Sequence, residues 1–221
     1  MFESLVFHYC VFFRENRMEF GWIEGIQKNK LIIVPLSGKK QFIAGNRIAL
    51  SWKDEKLPLN TDSAHESLSE QLKKAKQFQQ SCELETMHSL LNETKEYSLD
   101  ELSIDFLDDA ENTICKLGLF LAMRADSFWF KHNRNLTYTP RTEEELELLK
   151  VQLVRQKEVK DRAINVQTWI KQLESGNWHA DSIISTEQRQ WLDQLLNVLV
   201  EGTDSQYWKE ISSILEWNSS I

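Results

Sequence analysis

The sequence predicts an α+β fold made of several modules: a small SH3-like β-barrel, then a mainly α winged-helix (helix-turn-helix) module, then C-terminal helices. Short aromatic and β-branched runs fill residues 1–58, whereas helical periodicity dominates the rest of the chain. A single aromatic hairpin pattern interrupts the helices near residue 130. Together these observations favour several small modules over one large domain.

The predicted barrel occupies residues 1–58. Its five aromatic or β-branched runs predict strands at residues 5–9, 18–23, 30–34, 40–43 and 47–50. Turn-forming pairs such as Lys28-Asn29 and Ser37-Gly38 separate these runs at hairpin scale. Because closure removes the exposed edges of a sheet, we expect a closed barrel, with an open meander as the alternative.

A linker and a polar helix are predicted at residues 59–82, and the winged-helix domain at residues 83–140. Within that domain, Ser98 and Glu101 have the spacing of a capping box at the start of a helix. The next helix is predicted over residues 109–124, with Asp108 or Asp109 as its N-cap.

Two aromatic half-strands complete this domain. They lie at residues 127–139, on either side of a polar turn at residues 132–135, and predict a hairpin. Helices followed by a hairpin are the order of elements in a winged helix, whose hairpin is the wing.

The remainder of the chain predicts helices only. A long helix over residues 141–175 should begin with a capping box at Thr142. Residues 176–221 predict C-terminal helices that lead towards a missing domain. One of these helices should begin at Ser185 with a second capping box and end at Gly202.

The formal charge of −8 is distributed unevenly along the chain. Residues 1–58 carry a net charge of +3, residues 59–126 of −8 and residues 127–221 of −3. An acidic chain is a poor candidate for coating nucleic acid indiscriminately. Only the barrel is basic, so we expect polyanion contacts there first.

The sequence has no complete catalytic or metal site. A phosphate-binding G-x-x-x-x-G-K-S/T loop is missing, the five histidines are isolated, and the three cysteines are far apart. The acidic group Asp105, Asp108, Asp109 and Glu111 could hold Mg²⁺, but its place between two predicted helices favours a capping role. We therefore predict no catalytic residue, no metal site and no cofactor in this chain.

Two groups of side chains are candidates for contacting nucleic acid. The candidates are Lys28, Lys30, Lys39, Lys40 and Arg47 on the barrel, and Trp129, Lys131, His132 and Arg134 on the wing. Cations can bind phosphates, and an exposed tryptophan can stack on bases. The alternatives are a solvated basic rim on the barrel and, for the wing aromatics, packing in the core.

Several short motifs occur in a familiar order: Phe20-Gly-Trp-Ile-Glu-Gly-Ile, Lys30-Leu-Ile-Ile-Val-Pro-Leu, Tyr97-Ser-Leu-Asp-Glu-Leu, Phe128-Trp-Phe-Lys and Tyr138-Thr-Pro-Arg. This succession resembles the N-terminal region of ribonuclease II-like (RNB family) exoribonucleases. The resemblance implies a 3′-to-5′, Mg²⁺-dependent processive exonuclease of single-stranded RNA, whose catalytic domain carries an aspartate quartet. That domain is absent here, and the aspartates of this chain depart from the family's spacing, so Mg²⁺ is expected only for the absent nuclease domain.

The resulting hypothesis is the non-catalytic N-terminal part of such an exoribonuclease, which guides single-stranded RNA or packs on the nuclease domain. The alternative is a protein–protein interaction module built on the winged helix, with Trp191, Trp208 and Trp217 in docking helices. A DNA-binding regulator is the least favoured alternative because the predicted recognition helix is acidic. No run of ~20 apolar residues predicts a membrane span, and we expect a cytoplasmic protein.

Overall fold

The computed structural model describes residues 3–15, 17–53, 61–133, 135–175 and 185–215. Those residues form seven α-helices and two antiparallel sheets, which confirms the α+β class. The chain divides into two compact units, Met1–Leu146 and Glu147–Ile221. The finer division into modules stays a prediction.

The first sheet has five strands in the order β4-β3-β2-β1-β5. Its strands are β1 (Tyr9–Arg14), β2 (Arg17–Gln27), β3 (Lys30–Pro35), β4 (Gln41–Ile43) and β5 (Ile48–Trp52). The expected first strand at residues 5–9 is wrong, because Glu3–Leu5 form a 3-10 turn and Phe7 has a positive φ of 66°. Extended pairing therefore begins only at Tyr9, opposite Trp22.

The turn between β2 and β3 has the predicted two-residue form. Gln27 pairs with Lys30, and the two residues between them, Lys28 and Asn29, have φ values of 46° and 63°. Positive φ at both central residues is the mark of a type I′ turn, whose twist suits a hairpin. The hairpin prediction at this position is confirmed.

Strand β1 is buried on both faces because two hydrophobic clusters lie on either side of the sheet. Tyr9 and Val11 belong to a cluster shared with the helices, whereas Cys10 and Phe12 belong to one formed by the sheet itself. All four residues are fully buried. One face of the sheet therefore covers the sheet's own core, and the other face packs on the core shared with the helices.

The helical part of the first unit encloses a second, three-stranded sheet in the order β6-β8-β7. Its elements are α1 (Thr61–Ser81), α2 (Leu84–Leu90), β6 (Tyr97–Ser98), α3 (Leu99–Phe106), α4 (Thr113–Ala125), β7 (Phe130–His132) and β8 (Thr137–Pro140). The capping box of Ser98 and Glu101 is present at the start of α3, as predicted.

The predicted N-cap of α4 is wrong. Asn112 caps this helix, since its side-chain oxygen accepts hydrogen bonds from the backbone N–H groups of Ile114 and Cys115. Asp109 instead accepts from the N–H of Glu111, and its carbonyl accepts from the N–H of Asn112. These bonds close an extra turn, so α4 begins at Thr113, four residues after its predicted start.

Helices α1 and α4 approach closely at Gly118. A Cβ at this position would lie 2.8 Å from the carbonyl oxygen of Ala75 and 2.8 Å from Cδ1 of Phe78. Only glycine leaves room for backbone at such a distance. The shared core extends from this crossing, through Leu68 of α1, to Tyr9 in the first sheet.

The second unit is helical in the residues described. Its elements are α6 (Thr186–Glu201), α7 (Trp208–Ile214) and the part of α5 (Glu143–Glu174) that follows Leu146. Its core contains Val166, Trp169, Trp191 and Ile214. The capping boxes predicted at Thr142 and Ser185 and the helix end at Gly202 are confirmed. No helix in the described ranges is long and apolar enough to cross a bilayer.

We expect Gly118→Ala to destabilise the first unit by ~1–3 kcal/mol, because the new methyl group would collide with α1 at a well-packed crossing. Alanine's higher helix propensity would otherwise stabilise α4 by ~1 kcal/mol. Urea unfolding followed by circular dichroism measures the change. Gly25→Ala is the control, since the nearest atom to its Cβ would be 3.9 Å away. A more stable Gly118→Ala protein would contradict this packing.

Candidate nucleic-acid interface

Three of the five barrel cations lie at one end of β3. Lys28 is in the β2–β3 turn, Lys30 begins β3, and Arg47 lies in the 3-10 turn that follows β4. The pairing of Leu31 with Ile43 brings that turn to the end of β3 that Lys30 occupies. All three cations are exposed, and none has a carboxylate of the described residues within 4.0 Å.

The other two barrel cations lie at the opposite end of β3, in the loop to β4. Five residue steps along a strand separate the two ends by ~17 Å. Lys40 is already neutralised, because its Nζ is 2.6 Å from each carboxylate oxygen of Glu24. Lys39 is exposed and has no such partner among the described residues. The predicted barrel group is thus two groups rather than one patch.

Phe42 adds an aromatic ring that was not among the predicted site residues. Its side chain is 52% exposed in β4, opposite Ile32. Because side chains alternate along a strand and Leu31 and Ile43 point into the core, Lys30, Ile32 and Phe42 share the outer face of the sheet. The periodicity of the sequence alone does not show that Phe42 is exposed. Its exposure follows from the burial of Leu31 and Ile43 on the other face.

Lys131, on the predicted wing, forms an ion pair within the protein. The Nζ of Lys131 is 2.6 Å from Oε1 of Glu145. The pKa of that carboxyl is lowered by the hydrogen bond from Lys131 and then by the backbone N–H of Thr142. Arg134 lies outside the described residues. The charge of Lys131 is therefore shared with a carboxylate rather than directed at a ligand.

His132 supplies no full positive charge at neutral pH. Partial burial of its ring, followed by the nearby Arg124, lowers its pKa from 6.5. The ring meets Tyr138 edge to face, with centroids 5.6 Å apart. A neutral imidazole can form hydrogen bonds but contributes little to binding a polyanion.

Trp129 packs against the edge of the core of the first unit. It is half-buried, and its ring centroid lies 4.9 Å from that of Phe128 and 5.3 Å from that of His88. These contacts with rings of the same chain cover part of the indole surface that a base could use. Its position agrees in part with each alternative left open by the sequence, because one side packs on the core and the rest is exposed.

Asp126 organises the wing and was missed by the sequence analysis. Its Oδ1 accepts from the N–H groups of Phe128 and Trp129 at 3.1 Å, and its Oδ2 from that of Phe130 at 2.7 Å. These bonds turn the chain from α4 into β7. An aspartate that follows the last residue of a helix and precedes a serine was the available signal.

A basic groove lies between α1 and the loop after β3. Its volume is about 450 Å³. Its lining consists of Leu36, Ser69, Leu72, Lys73, Lys76, Gln77 and Gln80. The sequence analysis treated this part of α1 only as a polar helix.

The acidic group named in the sequence analysis lies around the end of α3 and the turn before α4. Within the described ranges, no three His, Cys, Asp or Glu side chains converge in a way that could hold an ion. Asp108 and Asp109 are exposed, and Asp109 is engaged in the turn before α4.

No protein-family model matches this chain, and no curated protein shows significant similarity to it. A functional proposal for the chain therefore depends on the placement of its own side chains. Two surfaces of the described residues bear on that proposal: the outer face of the first sheet, where exposed cations accompany Phe42, and the groove beside α1.

We expect His132 to titrate below pH 6.5 in the folded protein, because partial burial and Arg124 disfavour its charged form. Two-dimensional NMR of the histidine rings measures this value, and the same histidine in urea serves as the reference. The unfolded chain binds the proton more tightly, so this group makes the protein less stable as the pH falls through 6.5. A folded-state value above that in urea would contradict the placement of the wing.

Proposed function

We propose that this chain is a non-catalytic RNA-binding part of a ribonuclease II-like exoribonuclease, which guides single-stranded RNA or packs on a nuclease domain. The observation that carries this proposal is the exposed Phe42 on the same sheet face as Lys30, with Lys28 and Arg47 at the same end of β3. Proteins that bind single strands combine a basic track with aromatic rings on which bases stack.

An SH3-like barrel is the finer fold that we propose for the first sheet. Strand β5 returns to pair with β1, and the 3-10 turn Gly45–Arg47 separates it from β4. The register shifts in the ladders that β2 forms with β3 and β1 with β5 mark irregularities that help a sheet curl. Ile43 of β4 and Ile48 of β5, from the two edge strands, pack on one cluster. A curled sheet favours a closed barrel over an open meander.

A winged helix is the finer fold that we propose for the helical part of the first unit. The elements follow the order α2, β6, α3, α4, β7, β8, with β6 paired to the second strand of the hairpin. In this interpretation α4 would be the recognition helix. Its start is preceded by Asp109 and Glu111, and its Lys116 forms an ion pair with Asp100. These charges argue against reading of duplex DNA.

The RNA-binding proposal is tested with Phe42→Ala and a fluorescein-labelled oligo(U) of 12 nucleotides. Loss of one stacked base costs ~1–3 kcal/mol, so we expect roughly 5- to 150-fold weaker binding in fluorescence anisotropy. Ile104→Ala is the control, because that side chain is 70% exposed and lies in α3 rather than in the first sheet with Lys28, Lys30 and Arg47. No binding by the wild-type chain at low salt would overturn the proposal. RNA degradation with Mg²⁺ would overturn its non-catalytic part.

A protein-interaction role is the second candidate, and a leucine face on α6 favours it. Leu192, Leu196, Leu199 and Val200 repeat at helical spacing and are 37%, 50%, 70% and 84% exposed. Of the tryptophans named in the sequence analysis, Trp191 is buried, 6.0 Å from Trp169 between ring centroids, and so offers no docking surface. Trp208 is half-buried, and Trp217 lies outside the described residues.

We expect Leu196→Lys combined with Leu199→Lys to reduce binding of a hydrophobic dye and any self-association without lowering the unfolding midpoint, because both side chains are exposed. Dye fluorescence and sedimentation velocity measure these effects. Trp191→Ala is the contrasting variant and should destabilise the second unit by ~3–5 kcal/mol. A wild-type monomer that binds no dye would remove the support for this second candidate.

A further inference from the structure

The groove beside α1 is formed by one face of that helix and by a loop that a backbone hydrogen bond holds in place. Its α1 residues recur three or four positions apart from Ser69 to Gln80, so they form a single helix face. Leu68 and Ala75 lie on the adjoining face of α1 and are fully buried in the core, to which the nearly buried Leu72 also belongs. The loop wall is held too, because Leu36 donates its N–H to the carbonyl of Phe20 at 3.0 Å.

The charges at this groove are of one sign. Lys73 and Lys76 are exposed, and no carboxylate in the described part of the chain lies within 4.0 Å of either nitrogen. The nearest acidic neighbours along α1 are Glu66 and Glu70. Glu70 forms an ion pair with Lys74 at 2.7 Å, and its pKa is lowered first by that hydrogen bond and, less, by the charge of Lys73. The charged residues that line the groove are therefore both lysines, inside a segment whose net charge is strongly negative.

The groove also offers contacts besides charge. Leu36 and Leu72 line it with apolar surface, while Gln77 and Gln80 carry amides that both donate and accept hydrogen bonds. Neighbouring phosphates of a single strand have a spacing comparable to that of side chains three positions apart on a helix. Amide groups suit ribose hydroxyls and the edges of unpaired bases.

We infer that this groove is a second RNA contact, in which Lys73 and Lys76 bind consecutive phosphates of a single strand while Leu36 and Leu72 contact its sugars or bases. The inference deepens the proposed function and rests on it. Recognition by the two lysines is independent of base sequence, because it is made through the phosphate backbone. Lys39, three residues after Leu36 in the same loop, extends the basic surface at this end of β3.

The test compares Lys73→Ala/Lys76→Ala with Lys157→Ala/Lys160→Ala in the full chain. The control pair has the same spacing and lies on the exposed part of α5. Alanine favours helix at all four positions, so both variants should remain folded. Binding of labelled oligo(U) is measured by anisotropy between 0.1 and 1 M salt.

We expect the slope of log affinity against log salt to become less steep by ~1.4 for the groove variant, since each phosphate contact of a single strand contributes ~0.7. The groove variant should therefore bind ~25-fold more weakly than the wild type at 0.1 M salt, and the two affinities should converge near 1 M. The control pair should bind like the wild type.

The outcomes separate the two proposals. If the wild type binds RNA and the groove variant matches the control, the groove inference is wrong and the proposed function stands. If the wild type does not bind RNA at all, both fail. Poly-L-glutamate is tested in the same way. If it binds the wild type but not the groove variant, under conditions in which oligo(U) does not bind, the ligand is an acidic protein segment. That result would overturn the RNA inference.

Discussion

The close crossing of α1 and α4 at Gly118 is the constraint on which the first unit depends. The absence of a side chain allows the backbone of α1, at Ala75, to come within contact of α4. Through the same helix, Ala64 and Leu68 join the core that contains Tyr9 and Val11 of the first sheet. The indole N–H of Trp52 also donates to Gln71 of α1 at 2.7 Å. One helix thus joins the sheet to the helical module.

This crossing also decides which surface of α1 is free. With Leu68 and Ala75 turned into the core, helical geometry leaves Lys73 and Lys76 on the face beside Leu36. A rotation of α1 about its axis would bury lysines or expose leucines. The core packing and the candidate RNA groove are therefore two results of one orientation.

Local ion pairing, rather than net charge, decides which cations can meet a ligand. Glu24, Glu145 and Asp100 neutralise Lys40, Lys131 and Lys116, respectively. The cations that keep no carboxylate partner within the described ranges include Lys28, Lys30, Arg47, Lys73 and Lys76. Exposed ion pairs contribute little to stability, but a paired lysine must give up its carboxylate before it can bind a phosphate. Of the candidates on the predicted wing, Lys131 is the one whose charge is shared with a carboxylate in this way.

Features with a local cause were determined by the sequence alone. Periodicity identified most of the strands and helices, and the boxes at Ser98, Thr142 and Ser185 formed as expected, because a capping side chain needs only its own next turn. The cap of α4 was misplaced, since a turn closed by Asp109 competes with it locally. The tertiary structure alone decided the exposure of Phe42, the separation of the barrel lysines and the groove beside α1. Each depends on which distant residues pack together, and that is a property of the whole core rather than of any one segment.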